Sequence, residues 1–374
     1  MENLGLNKDV SVGRRTFHVE TNFLNSAGLI VSNTFLDGQV IDSKEVSVRA
    51  GLPDQEVGAL LNEVHQQTIT DMEILYYIDE KVKTVRHASS ANKLGLLFLQ
   101  KNLYRESIEQ FNLALEIDPG LSEVLANLGK ALLMTDSLDE AIEVLERGTQ
   151  QAPQYADIQN YLGIAYLYKE DFDPAVLHLQ EAISLNSNYI GAYYHLGMAL
   201  LAKSVTRTGT PQPGSEETRQ RAIDYLAKAA ERMVNRQIAN FDAVMTKVDN
   251  QAYEDAVNEF LLSKPKEVLT HFLDIENEFY LKFMYGGKGK DDAFIAEYVN
   301  KLRELIAKHP AYADIHNNMG IANLIQCRNL FLKALEEFRA ALKINPRFKK
   351  AEKNLKLAEN DGKGFLILLR AILK

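Results

Sequence analysis

NKLGLLFLQKN (92–102), ANLGKALLMTD (126–136) and NYLGIAYLYKE (160–170) carry the same Leu-Gly pair at 94–95, 128–129 and 162–163, a spacing of 34 residues. Three positions after each Gly stands a large residue: Phe98, Leu132, Tyr166. Sixteen positions after it stands another: Phe111, Leu145, Leu179. A small residue follows at Ala114, Gly148 and Ala182, and the first two units end on Pro119 and Pro153. A fixed period of this size means a stacked helical array. Each unit reads as two antiparallel helices. The Gly has no side chain where the pair crosses, and the large residues fill the space beside it. One pair cannot bury its apolar face alone, so neighbours must stack.

Spacing and residue types together resemble the tetratricopeptide repeat (TPR) family. A fourth unit begins in phase at Leu196-Gly197. Its second helix is displaced by SVTRTGTPQPGSEET (204–218), a Thr/Pro/Gly/Ser-rich surface insertion. A last unit is expected at 313–348, with Met319-Gly320 in place of Leu-Gly, then Ala334, Phe338, Ala341 and Pro346, and two extra residues near Cys327. Residues 235–312 read as an atypical helical region. Residues 349–374 read as a polar capping helix followed by the apolar GFLILLRAILK (364–374), which is expected to cap the array, dock on a partner or rest on a membrane surface.

The expected fold class is therefore mainly α: a TPR helical-hairpin solenoid with a small N-terminal β-hairpin module. Residues 1–52 form that module, with 1–12 read as a loose tail. FHVETNFL, LIVSNTFL and QVIDSKEVSV read as two or three antiparallel strands, and Asp37-Gly38 is the strongest hairpin signal among them. A linking or capping helix over 53–87 follows. Pro53 opens it, and Val57, Leu61, Val64, Thr68, Met72 and Leu75 recur along it at helical spacing.

Length, 374 residues, suits two domains or a solenoid. A net charge of −9 argues against general nucleic-acid binding. One cysteine, Cys327, excludes an internal disulfide framework and reads as a packed structural thiol. The start lacks an apolar secretory core, and no apolar run is long enough to form a transmembrane segment; a cytoplasmic location is the default expectation.

No catalytic site is expected, and neither is a metal or cofactor site. The eight histidines are scattered without metal-ligand spacing. GGKGK (286–290) lacks the Ser or Thr of a phosphate loop.

The function expected is non-catalytic: an adaptor or scaffold for protein-protein interaction. The resemblance implies a concave groove lined by the first helices. Carried over by phase, its positions are Asn92, Leu96, Gln100, Asn127, Lys130, Met134, Asn160, Ile164, Tyr168, Tyr194, His195 and Met198. Asn317, Ile321 and Leu324 follow after the break. Amides, aromatics and Met suit a peptide or an amphipathic helix from a protein partner. The carboxylate clamp of TPR co-chaperones is disfavoured: among Asn92, Leu96, Asn127, Asp157 and Tyr161 only Asn127 agrees with it. Strand pairing at the edge of the N-terminal hairpin is a further partner mode. The alternative function is a self-assembling structural scaffold that forms homo-oligomers.

Overall fold

The computed structural model describes residues 5–205, 214–232, 241–262 and 271–372. The chain divides into two compact units, Met1–Asn277 and Glu278–Lys374. It is mainly α, with a four-stranded antiparallel sheet at the N-terminus.

The sheet is a meander of β1 (Gly5–Val12), β2 (Arg15–Leu24), β3 (Leu29–Leu36) and β4 (Gln39–Ser47). The stretch expected to be a loose tail is thus strand β1, paired with β2 from Gly5↔Asn22 to Val12↔Arg15. The reason is one-sided burial. Val10 and Val12 share the face of Phe17 and Val19, which packs on the following helix. Between β3 and β4, Asp37 (φ 51°) and Gly38 (φ 78°) both take positive φ, as a two-residue turn of the primed type requires. The register shifts by one at Thr34/Phe35, a bulge after which Phe35↔Val40 and Leu36↔Gln39 close the ladder at that turn.

Helix α1 (Asp54–Val85) starts after Pro53, with Asp54 and Glu56 in its first turn at the positive end of the dipole. Its buried stripe of Val57, Leu61, Val64, Ile69, Met72, Leu75 and Ile78 recurs at helical spacing and covers the inner face of the sheet. Ile69 packs on Val10 and Val19, and Leu61 and Val64 pack on Ile30. Each large aliphatic side chain so buried contributes about 1.5–3 kcal/mol. A buried polar chain runs through the same layer. The Thr21 hydroxyl lies 2.7 Å from Ser32 Oγ and 2.9 Å from His65 Nδ1.

Four helical hairpins follow. They are α2 (Ala88–Gln100) with α3 (Tyr104–Ile117), α4 (Ser122–Met134) with α5 (Leu138–Gln151), α6 (Ala156–Tyr168) with α7 (Phe172–Leu185), and α8 (Ile190–Ser204) with α9 (Ser215–Arg232). The role expected of the repeat glycines is met. A Cβ added at Gly95 would sit 2.5 Å from Phe111, at Gly129 2.4 Å from Leu145, at Gly163 2.5 Å from Leu179 and at Gly197 2.7 Å from Leu226. The turns between the helices of the first three pairs place Asn102, Asp136 and Glu170 in the left-handed region, seven residues after each Gly. The insertion expected over 204–218 falls largely on 206–213, outside the described residues; α9 begins at Ser215.

The sheet and the array are tied together. Arg15 grips Glu106 of α3 through Nε (2.5 Å) and Nη2 (3.1 Å), and the Tyr76 hydroxyl donates to the same carboxylate. Lys101 pairs with Asp42 at 2.5 Å. Tyr76 of α1 contacts both Phe17 and Phe98, bridging sheet and first repeat. Asp79 is buried between Lys83 and Gln110. Burial, partly offset by Lys83, raises the Asp79 pKa above the usual carboxylate range.

After the array come α10 (Phe241–Asp249), α11 (Tyr253–Leu262) and α12 (His271–Met284), the last crossing the unit boundary. In the second unit, α13 (Asp292–Lys308) is capped by Asp291, whose side chain accepts from the Phe294 amide.

The helical pair expected at 313–348 is instead one uninterrupted helix, α14 (Ala313–Ile344). The position seven residues after Gly320 is Cys327, and the helix continues through it without a turn. Gly320 accordingly has open space where its Cβ would be. Cys327 is exposed, not packed, because there is no hairpin partner to cover it. Helix α15 (Lys349–Ile372) packs on α14 and runs unbroken through Gly362 and Gly364, so the polar and apolar halves read separately are one element. The side chains of the apolar residues 365–372 lie outside the description, as do residues 373–374.

Candidate functional site

The first helices α2, α4, α6 and α8 carry the expected groove positions. Their amides bond to one another along the array. Asn127 Nδ2 donates to Asn92 Oδ1 (3.0 Å), and Asn92 Nδ2 donates to Glu123 (2.9 Å). One repeat pair further on, His195 Nδ1 lies 3.2 Å from Asn160 Oδ1, and Asn160 Nδ2 lies 3.2 Å from the Tyr189 hydroxyl. The Lys130 ammonium sits 5.7 Å from the Tyr161 ring centre. Polar hydrogen bonds thus join α2 to α4 and α6 to α8, and the Lys130–Tyr161 contact lies between α4 and α6.

Accessibility divides the face in two. On repeats one and two, Leu96, Gln100, Asn127 and Met134 are half-exposed, while Asn92 and Lys130 are buried. On repeats three and four, Asn160, Ile164, Tyr194, His195 and Met198 are all buried, and Tyr168 is half-buried. What covers them is the chain itself. Phe260 of α11 stacks on Tyr168 with ring centres 5.5 Å apart, meets Tyr194 edge-on at 5.7 Å and lies 6.3 Å from His195. Phe241 of α10 approaches Tyr194 at 5.2 Å. Val244, Val248, Ala256 and Val257 complete one core with Met198, Leu201 and Leu226. Further toward the N-terminus, Lys93 of α2 donates to Asn277 of α12 at 3.4 Å. Sequence reading missed this cover, and the local pattern marks only the covering helix, not where it docks. AYEDAVNEF (252–260) repeats the small-residue and Phe spacing of LYRESIEQF (103–111).

Tyr194 is the most constrained member. It is 1% exposed, and its hydroxyl has no hydrogen-bond partner. Burial raises its pKa well above the ordinary phenol value, so it stays a neutral donor. Asn317, Ile321 and Leu324 lie on α14 in the second unit. Asn317 is exposed there, and the other two are half-buried.

Other candidates resolve simply. Among the described residues, no three His, Cys, Asp or Glu side chains converge as a metal site. GGKGK (286–290) holds a single turn of 3₁₀ helix, Lys288–Lys290, and the Gly289 carbonyl accepts from Arg328. The outer face of the sheet has a shallow depression lined by Asp9, Thr16, His18, Glu20, Phe35 and Asp37, in which Asp9 and His18 already pair at 2.8 Å. The sheet's edges are β1 and β4. Among the described residues, no helix is long and apolar enough to cross a membrane.

Repeated helical hairpins with polar contacts between their first helices define a helical-repeat solenoid of the kind used for protein-protein interaction. Residues 98–163 match the tetratricopeptide repeat family, and the chain carries tetratricopeptide repeats. No curated protein matches it. Among solved structures, it is similar to a crystal structure of MamA at 25% identity over 45% of this chain and 90% of that one, with a TM-score of 0.36. It is also similar to residues 41 to the end of MamA from Desulfovibrio magneticus RS-1, at 20% identity over 49% and 97%, TM-score 0.37. A third similarity is to YrrB, described as a TPR protein with an unusual peptide-binding site, at 17% identity over 60% and 97%, TM-score 0.33.

Proposed function

We propose that the chain is a non-catalytic interaction scaffold whose first-helix face takes a helical segment of a protein partner. The observation that carries this reading is the occupancy of repeats three and four. That face already holds a pair of helices, with aromatic side chains seated between Tyr168, Tyr194 and His195. A surface that buries helices of its own chain through side-chain packing has the chemistry to bury a partner's. On repeats one and two, Leu96, Gln100, Asn127 and Met134 extend the same face in partly exposed form.

A library of displayed amphipathic helices tests the reading. Selected binders are expected to lose at least tenfold in affinity against the Leu96→Glu, Met134→Glu double variant or against Tyr168→Ala, while circular dichroism stays unchanged. Binders indifferent to both sets would place the interaction elsewhere.

A further inference from the structure

The pair α10–α11 covers the first-helix face of repeats three and four. Its connection places Gln251 in the left-handed region at φ 61°, as the turns of the first three repeats place Asn102, Asp136 and Glu170. The docking is mostly apolar: Phe241, Val244, Val248, Ala256, Val257 and Phe260 face the array. A ring contact between Arg219 and Tyr253, at 5.1 Å, anchors the start of α11 to α9.

The fit is also incomplete. The aromatic cradle is filled, but the Tyr194 hydroxyl at its base is buried without an acceptor. A buried hydroxyl without a partner loses the hydrogen bonds it would make in water, and this weakens the closed state. The hairpin's residues that reach Tyr194, Phe241 and Phe260, have no side-chain acceptor to offer. The cradle therefore suits a ligand that combines an aromatic group with a hydrogen-bond acceptor, and the chain's own hairpin supplies only the first.

We infer that α10–α11 is a displaceable placeholder on the face of α6 and α8. The partner that replaces it is an amphipathic helix presenting an aromatic side chain to Tyr168 and His195 and a hydrogen-bond acceptor to the Tyr194 hydroxyl. This rests on the scaffold reading above and adds to it the occupant and the rule of exchange. A tethered placeholder competes at a high effective concentration, on the order of millimolar for a short linker, so only a partner with better cradle chemistry displaces it.

Hydrogen exchange on the full chain is the first test. Amides of α10–α11 exchange at least tenfold faster than those of α6 and α8, because the hairpin opens locally. Tyr194→Phe removes the unsatisfied hydroxyl from the closed state alone, so it slows hairpin exchange several-fold and leaves α6 unchanged. In the second test a labelled synthetic peptide of residues 241–262 is titrated into the full chain. It binds the Phe260→Ala chain at least tenfold more tightly than the wild type, whose groove is already filled. Hairpin amides that exchange only as slowly as α6 and α8, and that Tyr194→Phe leaves unmoved, would overturn the inference. Peptide uptake equal in the two chains would overturn it too. Either result leaves the scaffold reading intact if selected helices still bind through Leu96 and Met134, so the two ideas fail separately.

Discussion

Gly129→Ala and Gly320→Ala should move stability in opposite directions, although both place the same methyl group at the same position of a repeat-like helix. At Gly129 the new Cβ lies 2.4 Å from Leu145 Cδ2, 2.5 Å from Cγ and 2.9 Å from Cδ1. The clash includes the branch carbon, so turning the side chain about χ2 does not relieve it. Leu145 is fully buried and has no free space to enter. Overpacking of this kind costs about 1–3 kcal/mol. The better helix propensity of Ala returns roughly 1 kcal/mol. The net expectation is a loss of up to about 2 kcal/mol, the difference of those two terms. At Gly320 nothing lies within 4 Å, so only the propensity term remains and α14 gains roughly 0.5–1 kcal/mol. Urea unfolding followed by hydrogen exchange assigns each change to its own unit. Shifts of the same sign in the two variants would refute the claim that Gly129 is there for helix crossing and that no such crossing exists at Gly320.

Other outcomes follow from the contacts. Glu106→Ala leaves Arg15 and the Tyr76 hydroxyl without their shared acceptor and should cost about 2 kcal/mol. A double-mutant cycle with Arg15→Ala should show coupling, and strict additivity would deny the tie between sheet and array. Burial, assisted by Lys8, lowers the His65 pKa below its reference of 6.5, so the neutral ring is the form that fits. A lowered folded pKa means stability that is present above pH 6.5 and lost as pH falls through the folded value. The melting temperature should thus drop as the pH falls below 6.5, and His65→Asn should flatten part of that drop. Cys327 is exposed on α14 and should react with one equivalent of a thiol reagent in the native protein; reaction only after denaturation would contradict its position.

The array was readable because its defining residues act locally. A Gly at the crossing and a large residue sixteen positions on meet within one hairpin, so spacing alone brings Gly95 to Phe111 and Gly163 to Leu179. The Asp37-Gly38 turn was readable for the same reason. Strand β1 was not, because its inner face reads Leu6, Lys8, Val10, Val12, and the lysine breaks the alternation. The last hairpin was misread because Met319-Gly320 keeps the phase of a repeat, while α14 continues past it as one helix. The groove positions were legible as a phase, but their cover was not. Phe260 reaches back 92 positions to Tyr168, and no local pattern records a contact of that range.

The docking of α1 and the sheet onto the first repeat also has a consequence for synthesis. A solenoid end is an apolar surface waiting for a neighbour. Here the element that covers it, β1 to α1, precedes the repeats in the chain and so leaves the ribosome first. Tyr76, Arg15 and Asp79 then stand ready when Phe98, Glu106 and Gln110 emerge. Each later hairpin arrives at a finished surface and closes it in turn, so growth proceeds in one direction with only the newest face exposed.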